Sequence, residues 1–365
     1  WIVCRLYHNR WFMFCFMFYF ASIFFLMRFD KMVNLGVVAD RFIYLASLGL
    51  CLYLATRLEK FYSRSNRLKK MLIILGFILL IITLIYKTIQ QQNVWKSSAN
   101  LWGHVVKHEP TIAIAYNNRG FSYIEAEQWD LAFNDFKKAI EILPTYAYAY
   151  SNIGSLYFLK GQYDLAIQYF NTTLSYDPEH AKSHNILGLI YEKKGNLDLA
   201  LKKFSQAIEL EPNDYDFRFN RFRIYKNQGK FKLAVNDLNW LIQIYPDKFE
   251  PYLERGDLFI NTNQLDLALS DYQHTLQLNP KSDQAYHNLG ILFAIQGNID
   301  LAIEHLTKAI QLNPQSAISY VNRAKILQKM GNIRQALDDA QKAQSLGESN
   351  LDSFLNELQT GLPVK

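Results

Sequence analysis

The chain has 365 residues and a formal charge of +6, and that charge is unevenly placed. Residues 1–96 hold 13 of the 39 basic side chains and 3 of the 33 acidic ones, so the remainder is net acidic and would repel phosphate backbones, which argues against nucleic-acid binding. The three cysteines, Cys4, Cys15 and Cys51, show neither metal-site nor CxxC spacing and form no disulfide framework.

Residues 1–92 read as a membrane region with three transmembrane helices, over about 11–28, 36–56 and 71–88. Trp11 to Met27 carries no charge and is bounded by Arg10 and Arg28. Phe42 to Thr56 is short, and Leu35 to Ala39 extends it past the Asp40–Arg41 pair. Met71 to Tyr86 is rich in isoleucine and leucine. Three apolar runs in succession with basic residues between them point to a lipid bilayer rather than to buried core helices. The loop 57–70 carries Arg57, Lys60, Arg64, Arg67, Lys69 and Lys70 against Glu59, and such loops stay in the cytoplasm. Everything after Tyr86 then falls on the exoplasmic side, in a periplasm, an endoplasmic-reticulum lumen or the cell exterior. The chain opens on Trp1 inside apolar sequence, so it is expected to be the C-terminal part of a longer protein.

Beyond the apolar third, proline marks a repeat. Pro110, Pro144, Pro178, Pro212, Pro246, Pro280 and Pro314 stand 34 residues apart. Seven units follow over 113–350: 113–146, 147–180, 181–214, 215–248, 249–282, 283–316 and 317–350. Their twentieth residue is Ala132, Ala166, Ala200, Ala234, Ala268, Ala302 or Ala336, where a second helix crosses a first. The eighth is Gly120, Gly154, Gly188, Gly256, Gly290 or Ala324, with Phe222 departing. The eleventh is Tyr, Phe or Leu throughout. Gly161, Gly195, Gly229, Gly297, Gly331 and Asn263 suit the left-handed turn between the two helices, and Glu127 is the poor fit. The pattern resembles the tetratricopeptide repeat, two antiparallel helices per unit. The expected fold is all-α, transmembrane helices followed by a right-handed tetratricopeptide α-solenoid. Residues 93–112 read as a junction helix like the second half of an incomplete unit, with Ser98 and Trp102 at the alanine and aromatic positions. Residues 351–365 read as a capping helix and tail.

No Gly-rich phosphate loop, nucleophile elbow or zinc motif appears, and no cofactor is expected. His180/His184 and His104/His108 have the i, i+4 spacing of metal ligands. His184 stands at an aromatic position of its repeat and His104/His108 lack a third ligand, so no metal site is assigned. Asn171-Thr172-Thr173 is a glycosylation sequon within a helix.

The first helices of such an array line its groove. Their sixth positions read Asn118, Asn152, Ile186, Asn220, Glu254, Asn288 and Asn322. An amide both donates and accepts, so Asn118, Asn152, Asn220, Asn288 and Asn322 are candidates to hold the backbone of an extended peptide. The alternative is that asparagine is simply common at this site. The stripe resembles the asparagine ladder of the O-GlcNAc transferase family. If these side chains face open groove, replacing them should change stability little. The fifth positions lack lysine, so a chaperone-type carboxylate clamp is not supported.

Gly36 to Leu50, GVVADRFIYLASLGL, resembles the ADRY-x-YLPS-x-G segment of the transmembrane-and-tetratricopeptide proteins. Ala46 stands where that family has proline. The resemblance implies a parent with a glycosyltransferase membrane half of the GT-C type, similar to protein O-mannosyltransferases and using a polyprenyl-phosphate sugar. Its catalytic acid would lie upstream of this chain, so residues 1–365 alone are expected to be non-catalytic. Asp40 and Arg41 match the family's Asp-Arg and are either functional or an interfacial salt bridge. The alternative is a purely non-enzymatic, membrane-tethered assembly protein.

Overall fold

The computed structural model describes Phe61 and residues 65–360. The spans expected over 11–28 and 36–56, together with Asp40 and Arg41, lie outside the described residues. The chain divides into two compact units, Trp1–Leu101 and Trp102–Lys365.

Helix α1 covers Arg67–Trp95. Within it, the most apolar eighteen-residue stretch of Arg67–Ile89 has a mean hydropathy of 2.6 and no buried share, and by length and composition the segment can cross a membrane. At about 1.5 Å per residue its 23 residues reach roughly 34 Å, against a hydrocarbon core of about 30 Å. The helix continues through polar sequence to Trp95, so Asn93 does not open the junction helix. The chain turns at Lys96, and helix α2 covers Ser98–His108. The break has a local cause: Ser97 Oγ accepts the Asn100 N–H at 3.1 Å and caps the new helix. Ser98 is therefore the first residue of α2, not a small residue at a helix crossing.

Seven helix pairs follow. The first helices are α3 (Ala113–Glu125), α5 (Ala147–Leu159), α7 (Ala181–Lys193), α9 (Tyr215–Asn227), α11 (Glu250–Asn261), α13 (Asp283–Ile295) and α15 (Ala317–Lys329). The second helices are α4 (Trp129–Ile142), α6 (Tyr163–Tyr176), α8 (Leu197–Leu210), α10 (Phe231–Ile244), α12 (Leu265–Leu278), α14 (Ile299–Leu312) and α16 (Ile333–Ser345). Helix α17, Asp352–Thr360, lays Leu355 and Leu358 on the alanines of α16 and turns polar residues outward. Among the described residues there is no strand.

Volume is matched across each pair. A Cβ built on Gly188 would stand 2.5 Å from Phe204, and one on Gly256 would stand 2.6 Å from Tyr272. The departure at Phe222 is compensated: this ring is fully buried, and the residue across from it is Leu238 rather than an aromatic. In repeat seven both partners are small, Ala324 and Ala340. Each connector between paired helices holds one residue at positive φ, and at Glu127 (φ 58°) and Asn263 (φ 56°) it is not glycine.

A second device ties the pairs together. In four repeats an arginine of the first helix meets an aspartate sixteen residues later through two hydrogen bonds, as Arg119–Asp135, Arg221–Asp237, Arg255–Asp271 and Arg323–Asp339. The guanidinium lies beside aromatic rings of its own helix, Arg255 at 5.8 Å from both Tyr252 and Phe259. Repeats two and six lack the arginine, and a ring from the second helix occupies the equivalent slot. Tyr169 stands 6.4 Å from Tyr150 and 5.3 Å from Tyr157, and His305 stands 5.9 Å from Tyr286 and 5.1 Å from Phe293. In repeat three Lys203 has the slot, and burial pushes its ammonium below the usual lysine value.

Successive first helices also pack on one another, α3 on α5, α5 on α7, α7 on α9, α11 on α13 and α13 on α15, whereas the second helices meet mainly first helices. The first helices therefore take the shorter, inner side of the stack.

Candidate binding face

The amides singled out on the inner side are half-buried, and four of the five are engaged between repeats. Asn152 Nδ2 donates to Asn117 Oδ1 at 2.8 Å, and Asn220 Nδ2 donates to Asn185 Oδ1 at 3.1 Å. Asn322 Nδ2 meets His287 Nε2 at 3.3 Å. In each case the sixth residue of one repeat reaches the fifth residue of the repeat before. Where that fifth residue is Leu253, Asn288 Nδ2 turns to Asp257 Oδ1 at 2.6 Å. Asn118 accepts from Asn117 Nδ2 at 3.3 Å. The expectation that these side chains stand free in solvent is thereby corrected. An asparagine here can bond to the neighbouring first helix because a 34-residue period brings that helix alongside. Its loss would strand a half-buried partner.

Each amide nevertheless keeps capacity. With one N–H engaged, Asn152, Asn220, Asn288 and Asn322 retain a carbonyl oxygen without a protein donor among the described residues, and Asn118 retains its Nδ2 hydrogens. Glu254, at the same position of repeat five, accepts from Lys226 Nζ at 2.5 Å. Arg223 meets Glu192 at 3.3 Å. The middle of the inner side thus carries ion pairs beside the Asn220–Asn185 amide bond.

Asp257 is the most perturbed carboxylate described. Burial raises it from 3.8 to about 6, while the Tyr272 hydroxyl at 2.8 Å and the Asn288 amide hold it from rising further. Sequence reasoning did not single it out, since other repeats have no aspartate at that position.

The histidines are accounted for locally. His184 Nε2 lies 3.2 Å from Pro178 O, in the place where Tyr150 donates its hydroxyl to Pro144 O in the repeat before. His180 Nδ1 caps α7 by accepting the Ser183 N–H at 3.2 Å. His287, Ser319 and Ser316 form a chain, with His287 Nδ1 at 2.9 Å from Ser319 Oγ. It is no nucleophile–base pair: the Asn322 amide donates to Nε2, so Nδ1 carries the hydrogen and gives it to the serine. Among the described residues no group of three His, Cys, Asp or Glu side chains is placed to hold a metal ion. The sequon is closed in the folded array, since Thr173 is fully buried and its Oγ1 bonds Tyr169 O at 3.0 Å.

Family profiles described as tetratricopeptide repeat match residues 111–179, 151–215, 203–236, 284–316 and 305–338. No curated protein matches the chain. Among solved structures, the C-terminal part of a TPR repeat-containing protein from Cytophaga hutchinsonii is similar at 17% identity, over 64% of this chain and 95% of that one, with a TM-score of 0.53. PilF from Pseudomonas aeruginosa is similar at 18% identity, over 60% and 97%, with a TM-score of 0.50. A tetratricopeptide repeat protein from Parabacteroides merdae is similar at 17% identity, over 68% and 98%, with a TM-score of 0.50. At such identities the likeness is one of fold. Profile matches, helix pairing and the 34-residue period agree: the repeat region of this chain is a tetratricopeptide-repeat solenoid.

Proposed function

We propose that this chain is a membrane-tethered scaffold whose repeats bind segments of other proteins along the first-helix side. The observation that carries this is the unbonded capacity of the inner amides. An extended backbone presents N–H and C=O groups in turn, so a row of amides suits it whatever its side chains. The apolar, unburied Arg67–Ile89 segment supports the tether. The basic residues of 57–70, of which Arg67, Lys69 and Lys70 open α1, support an orientation with that end of the span in the cytoplasm and the repeats on the exoplasmic side. The glycosyltransferase parentage and the polyprenyl-phosphate sugar rest on Gly36 to Leu50 alone, which lie outside the described residues, so binding is the function proposed.

The test is titration of short peptides onto the full chain in detergent micelles. Asn152→Ala with Asn220→Ala should weaken binding by about tenfold, because each lost bond is worth about 0.5–1.5 kcal/mol. Failure of every peptide to bind would discard the scaffold. The orientation is tested separately, in a background with Cys4, Cys15 and Cys51 changed to serine. Single cysteines at Ser63 and Lys281 should label from opposite sides of a sealed membrane. Ser282 is unsuitable, being buried with its Oγ capping α13 through the Ala285 N–H at 3.2 Å.

A further inference from the structure

The outward positions of the first helices differ along the array. On α3 and α5 they are apolar: Ile114 and Phe121 are 50% and 52% exposed, and Tyr148 and Leu159 are 57% and 65% exposed. Glu125 is the one charge among them. On α7 the same row begins and ends with the exposed Lys182 and Lys193, α9 presents the exposed Asp216 and Arg223, and α11 has the half-buried Glu250.

Between the four apolar residues lies one end of the amide ladder. Asn152 Nδ2 bonds Asn117 Oδ1, and Asn117 Nδ2 bonds Asn118 Oδ1. The chain of bonds leaves a donor at Asn118 Nδ2 and an acceptor at Asn152 Oδ1, one repeat apart. A peptide unit offers the complementary acceptor and donor.

We infer that the first two repeats seat an uncharged, extended peptide segment bearing apolar or aromatic side chains. This inference rests on the peptide-binding function proposed above and names its chemistry. Arg119 is held by Asp135 across the helix pair, so a charged segment would meet no free opposite charge on these two helices apart from Glu125, whereas apolar and aromatic anchors would bury Phe121, Tyr148 and Leu159. Packed helices lie about 8–10 Å apart, which is about three residues of extended chain, so the anchors should stand about three residues apart. A lipid surface fits less well. Surface-seeking helices flank their apolar face with lysine and arginine, and these rows have none and carry Glu125.

The experiment uses the full chain in micelles and fluorescent peptides with two aromatic or aliphatic anchors three residues apart. Uncharged peptides should bind at least tenfold more tightly than versions with glutamate or lysine at the anchors. Phe121→Glu with Leu159→Glu should cost at least tenfold in affinity, and Ile318→Glu in repeat seven should leave it unchanged. All three sites are exposed, so melting should stay near that of the wild type. If the paired variant melts lower, wild-type hydrogen exchange decides, and adding the apolar peptide should slow exchange within 113–125 and 147–159. Apolar peptides that bind but protect α13 and α15 would overturn the inference and leave the scaffold standing. Peptides that all fail to bind would remove both. Slowed exchange of α3 and α5 on insertion into zwitterionic vesicles, with no peptide present, would assign the patch to lipid and overturn it.

Discussion

Arg255 and Asp271 meet through two parallel hydrogen bonds, Nε to Oδ2 at 2.8 Å and Nη2 to Oδ1 at 2.6 Å. The carboxylate is 5% exposed, so it depends on that guanidinium. Arg255→Leu would leave a buried charge without its partner and should cost about 3 kcal/mol. Arg255→Ile with Asp271→Tyr copies the Ile153 and Tyr169 of repeat two and puts a ring between Tyr252 and Phe259. Denaturant midpoints should show the double variant recovering most of the loss. A double variant as unstable as the single one would show that the two fillings are not equivalent.

Gly188→Ala tests the helix crossing. Its Cβ would fall 2.5 Å from Phe204 Cε1, and Phe204 is itself fully buried. The ring must move against packed neighbours, so a loss of about 1–3 kcal/mol is expected in thermal or chemical unfolding. An unchanged midpoint would show slack in repeat three.

Glu127 offers the opposite sign. It holds φ 58° in a connector where five other repeats have glycine. A left-handed L residue costs about 1–2 kcal/mol, partly offset by the greater freedom of an unfolded glycine. Glu127→Gly should therefore stabilise the chain by up to about 1 kcal/mol, read as a higher unfolding midpoint.

Asp257 gives the array a pH dependence. Its folded value of about 6 lies above its ordinary 3.8. The native state therefore holds the proton more tightly than the unfolded chain. The stabilisation is complete below the unfolded value and is lost as pH rises through about 6. Asp257→Asn keeps an oxygen for Tyr272 and Asn288 but removes the charge. At pH 7.5 it should melt higher than the wild type, by at most about 3 kcal/mol for that difference in proton affinity. Toward pH 3 the gap should close. A gap of constant size across this range would show that Asp257 ionises normally.

What the sequence made legible was whatever repeats at fixed positions. Proline, alanine and the left-handed connectors recur every 34 residues, and each marks one backbone event, so pairing could be read without coordinates. The partners of the amides were not legible. Asn152 bonds Asn117, 35 residues away, and that step joins two different positions of neighbouring repeats. The Arg–Asp clamps left a signal that a position-by-position comparison passes over: arginine at the seventh position and aspartate at the twenty-third occur together in four repeats and are absent together in three. Phe222 looked like a defect because its compensation, Leu238, lies on the other helix. Asp257 left no periodic trace, because its raised value comes from burial by neighbouring repeats.

The account turns on the inner side being the side that meets protein partners. Site-specific photo-crosslinking measures this directly: a photoreactive residue at Ser155, Arg223 or Lys325 on the first helices, compared with Leu165, Leu233 or Lys342 on the second. Crosslinks to protein concentrated at the first three sites, and lost when Asn152→Ala and Asn220→Ala are introduced elsewhere in the same chain, are the result expected. Crosslinks concentrated at the second three sites, or insensitive to those amides, would contradict it.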